Sequence, residues 1–502
     1  MTTSSRLALL TIAWLASTAA YADVAISKKP TVNMNCSNGV CSPTASDAVL
    51  NVSDLANMLA SGDVRVTTGS GATNIVVKDS VGWATTSRLT FDANQSVTID
   101  KPVMVTGTGA VTVTTNDGGS GGDLIFDGKG NVTFWDLSSS LIVNGNSYTL
   151  VGDIATLASD IANNSTGFYA LANDYDASVD GTYDEAPVTT GFTGTFEGLG
   201  HAIDKLTISG SADWVGLFRL AGGGTGTLRD VGLLHVNISG TGSGGGGALL
   251  GASEGTTIVG CYATGSVSLS GAWVGGLIGG SQSEPDGILV RSRANVSVKA
   301  PSATYAGGLI GLSYLTVSLS SASGNVVAGN NAFAGGLAGF AGWNIAQSYA
   351  TGRVSAGASS TIGGLAGEFC CGTLLSDSYA TGATKSGEGS IVAGLVGIAN
   401  SVDATISTSY STGHVDVKNA AHSGGLLGEW GNGAKPDHDY WDRDTTGENN
   451  RQGCDNRNCP GHSHARTTQE LQAGLQAGFD PNIWGLNPNI NGGLPYLIAN
   501  PR

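Results

Sequence analysis

The densest set of side chains able to do chemistry lies between residues 436 and 466. Asp437, His438, Asp439, Asp442 and Asp444 precede Cys454, Cys459, His462 and His464. Two thiolates and two imidazoles could bind zinc tetrahedrally, and the aspartates could hold calcium. The Cys-x4-Cys and His-x-His spacings are loose for zinc, however, and an exported chain meets an oxidising compartment. The expectation is a Cys454–Cys459 disulfide in a solvated loop.

Elsewhere the candidates thin out. A polysaccharide-cleaving site needs acids and bases converging on one face from neighbouring segments. Asp213, Arg229, Glu254, Arg291, Arg293, Arg353, Asp377 and Glu388 fall at different phases of the chain's repeat and predict no such stack. Ser378 and its equivalents have no His and acid at a fixed phase, so they read as strand-start and turn residues. Repeated tyrosines could form a sugar-stacking ladder, but an aromatic recurring at one phase is expected in a stacked core. The sequence predicts no catalytic residue, no cofactor and no metal ligand.

The repeat that would position these groups is centred on leucine. Gly275-Gly276-Leu277-Ile278-Gly279 recurs around Leu309, Leu337 and Leu365, with looser copies at Leu217, Leu249, Leu395 and Leu426, in steps of 28 to 32 residues. A second motif follows each leucine by 12 to 15 residues: Cys261-Tyr262-Ala263-Thr264-Gly265, then Ser-Tyr-Ala-Thr-Gly from Ser348 and from Ser378, and Ser409-Tyr410-Ser411-Thr412-Gly413. Tyr440-Trp441 replaces it in a final, modified repeat. One unit cannot bury its apolar side alone, and stacking units at ~4.8 Å per layer makes a continuous core. Each leucine then contributes roughly 1.5 to 3 kcal/mol of burial. About 30 residues hold too few strands for a propeller blade. The expected fold is all-β, a parallel β-helix or β-solenoid with a few short helices.

At the N-terminus, Arg6 and the apolar run Leu7 to Ala20 lead to Ala20-Tyr21-Ala22, a pattern that predicts a signal peptide over 1–22. A segment with the Cys36/Cys41 pair follows over 23–46, and a β-rich region over 47–185. Its strands alternate apolar and polar residues, as in Val64-Arg65-Val66-Thr67 and Val97-Thr98-Ile99. Helices are expected over Ser53 to Ala60, capped by Ser53, and over Asp153 to Ala162. A Thr467/Glu470 capping box opens a third. A lead-in occupies 186–210, the array 211–445, and a loop, short helix and closing segment 446–502. Seven cysteines and a net charge of −16 fit an exported chain and argue against nucleic acid. Cys36–Cys41 is the second expected disulfide. A bridge between the adjacent Cys370 and Cys371 is expected to be strained. Cys261, which takes the place of Ser348, Ser378 and Ser409, is expected to be a free thiol.

The repeats resemble the GLUG motif, found in bacterial surface and secreted proteins such as filamentous-haemagglutinin-like exoproteins and some IgA-protease precursors. Phe192-Thr193-Gly194-Thr195-Phe196-Glu197-Gly198-Leu199-Gly200-His201 is similar to the lead-in before such arrays. Trp484-Gly485-Leu486 and Gly492-Gly493-Leu494-Pro495-Tyr496-Leu497 are similar to the closing segment. Over 47–185, Leu141-Ile142-Val143-Asn144-Gly145 and Tyr169-Ala170-Leu171-Ala172 resemble haemagglutinin-type exoproteins. The resemblance implies a secreted or cell-surface adhesin-like protein attaching to a glycan or protein ligand, without catalytic residues. A carbohydrate-binding module and a β-helix polysaccharide-degrading enzyme are the alternatives.

Overall fold

The computed structural model describes residues 23–282, 287–371, 374–401, 404–416, 420–431, 435–448, 453–455, 459 and 461–502. The expected signal peptide lies outside the described residues, as do parts of the 436–466 segment.

Stacking of the aligned leucines settles the architecture. From Leu249 through Leu277, Leu309, Leu337, Leu365 and Leu395 to Leu426, each backbone N–H donates to the carbonyl of the next, at 2.8–3.1 Å. Their side chains are 0–1% exposed. A propeller would set them round a ring, whereas here they follow an axis, one per coil. The fold is a nearly all-β parallel solenoid of about 13 turns with, among the described residues, three short α-helices.

In the Leu365 coil the strands are Thr361–Gly363, Ala366–Cys370, Leu374–Ser376, Tyr379–Ala380 and Thr384–Lys385, and Ser390–Ala393 begins the next coil. Each pairs in parallel with its counterpart one coil on, Thr361 with Ile391 and Ala366 with Val396 among them. Close approach explains the glycine before the leucine. A Cβ on Gly336 would lie 2.1 Å from the Gly364 carbonyl oxygen and 2.8 Å from the Ala350 Cβ. No positive φ is required there. The next coil's backbone occupies the space a side chain would need.

Residues 23–143 coil mainly in parallel too, without the repeat, apart from the antiparallel hairpin of Met34–Ser37 and Val40–Pro43. Asp23–Ser27, Asn74–Val77, Val97–Ile99 and Leu124–Phe126 stack in one sheet, and Val81–Trp83, Val103–Val105 and Val132–Phe134 in another. Alternating side chains such as Val24, Ile26, Ile75 and Val77 fill the interior, the β-branched shape suiting a pleated, buried surface. The strand direction then reverses. Ser140–Val143 and Asn146–Val151 form an antiparallel hairpin, turning on Asn144 (φ 48°) and Gly145 (φ 82°), as an Asn-Gly pair favours. Asn146–Val151 pairs in parallel with Phe168–Leu171 and so starts the second series of coils.

The helices sit close to their expected places. α1 (Val52–Leu59) is capped by Asn51, whose Oδ1 accepts from the N–H groups of Ser53 and Asp54. That corrects the expected Ser53 cap by two residues, because asparagine caps equally well. α2 (Ile154–Asn163) follows an Asp153 cap and buries Ile154, Leu157 and Ile161. α3 (Thr468–Ala473) opens with the Thr467/Glu470 capping box.

Candidate functional site

The repeated polar residues are mostly spent on stacking. In the Ser-Tyr-Ala motif, alternation turns serine and alanine inward and tyrosine outward. The buried Oγ of Ser348 accepts from the N–H of Ser320 at 3.1 Å and donates to the carbonyl of Ala346 at 2.8 Å. Ser378 and Ser409 continue the column at 3.2 and 3.1 Å. Cys261 occupies the same column, its N–H donating to Ser292 Oγ at 3.2 Å. It is free and fully buried, and burial pushes its thiol pKa well above the ordinary value. These serines are rungs of a ladder, far from any nucleophilic role.

The outward tyrosines form a second column. Tyr349, Tyr379 and Tyr410 stack with centroids 4.8 and 5.1 Å apart and planes within 9°. They are buried because the C-terminal segment folds back along them, and Leu471, Phe479, Trp484 and Leu497 complete a separate core. Tyr410 Oη donates to the Pro495 carbonyl at 2.6 Å and accepts from Asn491 Nδ2 at 2.7 Å. Trp484 Nε1 donates to Asp377 at 3.1 Å, and Asn500 Nδ2 donates to the carbonyls of Ser320 and Gln347. The tyrosines are core, as expected, but outside the solenoid wall and under a strap.

In the 436–466 segment, Cys454 and Cys459 form the expected disulfide, as do Cys36 and Cys41. The Cys454–Cys459 bond removes both thiols as metal ligands. Cys370 and Cys371 are also bonded to each other. The aspartates do not converge. Asp439 is fully buried and takes the place of a serine rung, accepting from the N–H groups of Ser409 and Asp437 at 2.9 and 3.0 Å. Asp442, also buried, accepts from the Asp444 N–H and the Thr468 hydroxyl. Asp455 meets His422 at 2.6 Å, and Asp437 meets two histidines, with His462 Nδ1 at 2.9 Å and His438 Nδ1 at 3.0 Å. Hydrogen bonding to His462 is the main reason its carboxyl lies below the usual range. Among the described residues these three are the group whose donor atoms approach within 4.8 Å of one another. His464 pairs with Tyr440 in the strand register instead.

Charges expected to be scattered come together where the two series of coils meet. Arg229 and Arg291 both reach Asp123, at 2.8 and 2.6 Å, and Arg229 also meets Glu197 and Asp230 at 2.9 and 3.0 Å. Three carboxyl groups face two guanidinium groups. Glu197 is 1% exposed. Burial, followed by the Asp230 charge, pushes its carboxyl pKa up to about 8 against the pull of Arg229. The signal for this residue was an acid inside the apolar run Thr195-Phe196-Glu197-Gly198-Leu199.

Next to this junction opens a cleft of about 670 Å³, lined by Lys129, Asp174, Tyr175, Asp176, Asp204 and Tyr262 among others. Asp176 and Asp204 are register neighbours on adjacent coils. Lys205 Nζ bridges them at 2.8 and 3.7 Å. Its hydrogen bond holds Asp176 down to about 2, and one from His201 lowers Asp174. Carboxyl groups held ionised in this way accept hydrogen bonds and supply no proton at neutral pH.

These sites sit on a parallel β-solenoid in which, among the described residues, no helix is long and apolar enough to cross a membrane. No protein-family profile matches the chain. Halomucin from Haloquadratum walsbyi is 32% identical over 248 residues, which make up 46% of this chain and 2% of halomucin. The chain therefore spans only a small fraction of that protein's length. Among solved structures, a Bacteroides ovatus protein provisionally described as an immunoglobulin A1 protease aligns at 15% identity and a TM-score of 0.34, over 70% of this chain and 92% of its own.

Proposed function

We propose that the chain is a secreted or cell-surface, adhesin-like structural protein whose solenoid displays outward side chains for attachment. The observation that carries this reading is the use of the repeat itself. Leucine, glycine and serine recur because each contacts its equivalent one coil away, through the leucine N–H ladder, the glycine close approach and the serine rungs. Such a repeat builds a scaffold and leaves the outer face free to vary. The GLUG-like motifs and the stretch similar to halomucin agree with it. Protease treatment of intact producing cells, with purified protein tested on glycan- and protein-coated surfaces, examines the reading. Accessible protein and saturable adhesion are expected. Protein protected inside intact cells, or no adhesion to any surface, would overturn it.

The Asp174, Asp176 and Asp204 cleft favours a second reading, polysaccharide cleavage, since these acids converge from neighbouring coils. Hydrolysis by a carboxyl pair needs one partner held protonated, and here the shifts of Asp174 and Asp176 run the other way. Product release from a polysaccharide panel that disappears in Asp176→Asn would restore the enzymatic reading.

A further inference from the structure

The outward column that carries the stacked tyrosines is broken in one place. Strand register aligns Tyr262 with Arg293, Arg293 with Ser321, and Ser321 with Tyr349. From Tyr349 onward the strap covers the column. At ~4.8 Å per coil, Tyr262 and Tyr349 stand about 14 Å apart, and Ser321 is too small to fill the interval. The result is a slot of about 330 Å³, within the range of small-ligand sites, about 300 to 1,000 Å³.

The slot is chemically distinct from the cleft it meets at Tyr262. Its lining contains Arg293 and Arg502, the second of which donates to Asn491 Oδ1 at 3.1 Å, and no Asp or Glu, in a chain whose net charge is −16. Arg293 lies over the Tyr262 ring at 5.0 Å, which fixes the plane of the guanidinium and leaves its N–H fork for a planar anion. Among the described residues, no carboxylate lies within ion-pair distance of it. The floor is the neighbouring outward column, including Asn295, Ser323 and Thr351. Among the described residues, none of these three side chains hydrogen-bonds within the protein.

We propose that this slot binds a carboxylated sugar, a uronic or sialic acid residue at a glycan end or within a chain. The carboxylate pairs with the Arg293 fork, and the ring hydroxyls exchange hydrogen bonds with Asn295, Ser323 and Thr351. Uncharged sugars would leave the Arg293 guanidinium without an anionic partner. This assigns a ligand class to the attachment reading and rests on it.

Calorimetric titration of the full chain with tetragalacturonate and with sialyllactose, each against an uncharged counterpart, tests the assignment. At least one acidic probe should bind about tenfold or more tighter than its counterpart, a difference of about 1.4 kcal/mol, and which one identifies the source. Arg293→Gln should reduce that affinity about tenfold or more. Ser321→Tyr, which continues the tyrosine stack into the slot, should abolish binding while the melting temperature holds. No acidic binding, equal binding of the uncharged sugars, or unchanged binding in folded Ser321→Tyr overturns the proposal. If either variant fails to fold, the acidic-versus-neutral comparison on the parent decides. Adhesion to coated surfaces separates the two ideas. Surfaces bound equally by parent and Ser321→Tyr would remove the slot and keep attachment, and a parent that binds none would remove attachment.

Discussion

The coils before the Asn144-Gly145 hairpin and those after it solve the same problem with different regularity of backbone contact. In residues 23–143 the interior is filled by side chains such as Val24, Ile26, Val97 and Ile99. Any β-branched or aliphatic residue of suitable size serves there, so no repeat survives in the sequence. Backbone approaches backbone there too, as at Gly107, whose missing Cβ would lie 2.1 Å from the Ala84 carbonyl oxygen. In the array, however, the approach recurs at one phase, and Gly308, Gly336 and Gly364 each place a missing Cβ 2.1 Å from the next carbonyl oxygen. Side-chain packing tolerates substitution. Backbone contact is less tolerant, and it places glycine before the leucine on coil after coil, with Ala248 the exception.

The sharpest way to break this contrast is to substitute a glycine on each side of it. Gly336→Val should cost more than about 3 kcal/mol, because the obstructing atom is backbone and cannot rotate away. Gly62, beyond α1, has nothing within 4 Å of its built Cβ, and Gly62→Ala should stay within about 0.5 kcal/mol. Denaturant melts check both, and a neutral Gly336→Val would show that the motif glycines are not structural.

Next in size is the strap, which only the array possesses. Trp484, 1% exposed, stacks on Phe479 at 4.5 Å and tilts against Tyr379 and Tyr410 at 6.1 and 5.8 Å. Trp484→Ala should cost about 3 kcal/mol and open Tyr379 and Tyr410 to chemical nitration. Tyrosines still protected in a folded variant would mean that the strap is not what covers them.

A smaller loss is expected from one rung. Ser378→Ala leaves the Ser348 N–H without its acceptor, for about 1 to 2 kcal/mol. An unaffected melt would reduce the serine column to a small-residue requirement.

A change that pH rather than a deletion drives is expected at the junction between the two series of coils. Glu197 has its carboxyl pKa raised to about 8 by burial, above the unfolded value near 4.5. A raised acid contributes stability in full below the unfolded value and loses it as pH rises through the folded one. Stability should therefore decline from about pH 5 to pH 8, and Glu197→Gln, which cannot ionise, should flatten that decline. A decline of the same slope in both proteins would place its cause elsewhere.

What the sequence showed follows the same division. Leucine and glycine were legible because each repeats its own contact, whereas the serines, read as strand-start and turn residues, proved to be buried rungs, and Cys261 was placed correctly because it replaces one of them. The coil corners were not legible. Asp230, Arg291, Leu319 and Gln347 all adopt left-handed backbone, with φ between 46° and 53°, yet share no side-chain type. Their conformation comes from the stacked backbone around them. The strap and the Asp123–Arg229 pair were hidden for another reason, since they join residues more than a hundred positions apart, beyond what local pattern can reveal. The tyrosine phase was visible, but which side of the wall it faced depended on a partner far along the chain.

The central claim is that one repeat makes one coil along an axis. Spin labels at Ser209, Lys299 and Lys385 test it most directly, because register carries this exposed column from Ser209 through Ser239, Ser268, Lys299, Val327 and Ser355 to Lys385. Pulsed dipolar distances should be about 14 Å for Ser209–Lys299 and about 29 Å for Ser209–Lys385, growing in proportion to coil number at ~4.8 Å per coil. A Ser209–Lys385 distance no longer than Ser209–Lys299 would mean that the repeats close on themselves, and the stacked solenoid would be contradicted.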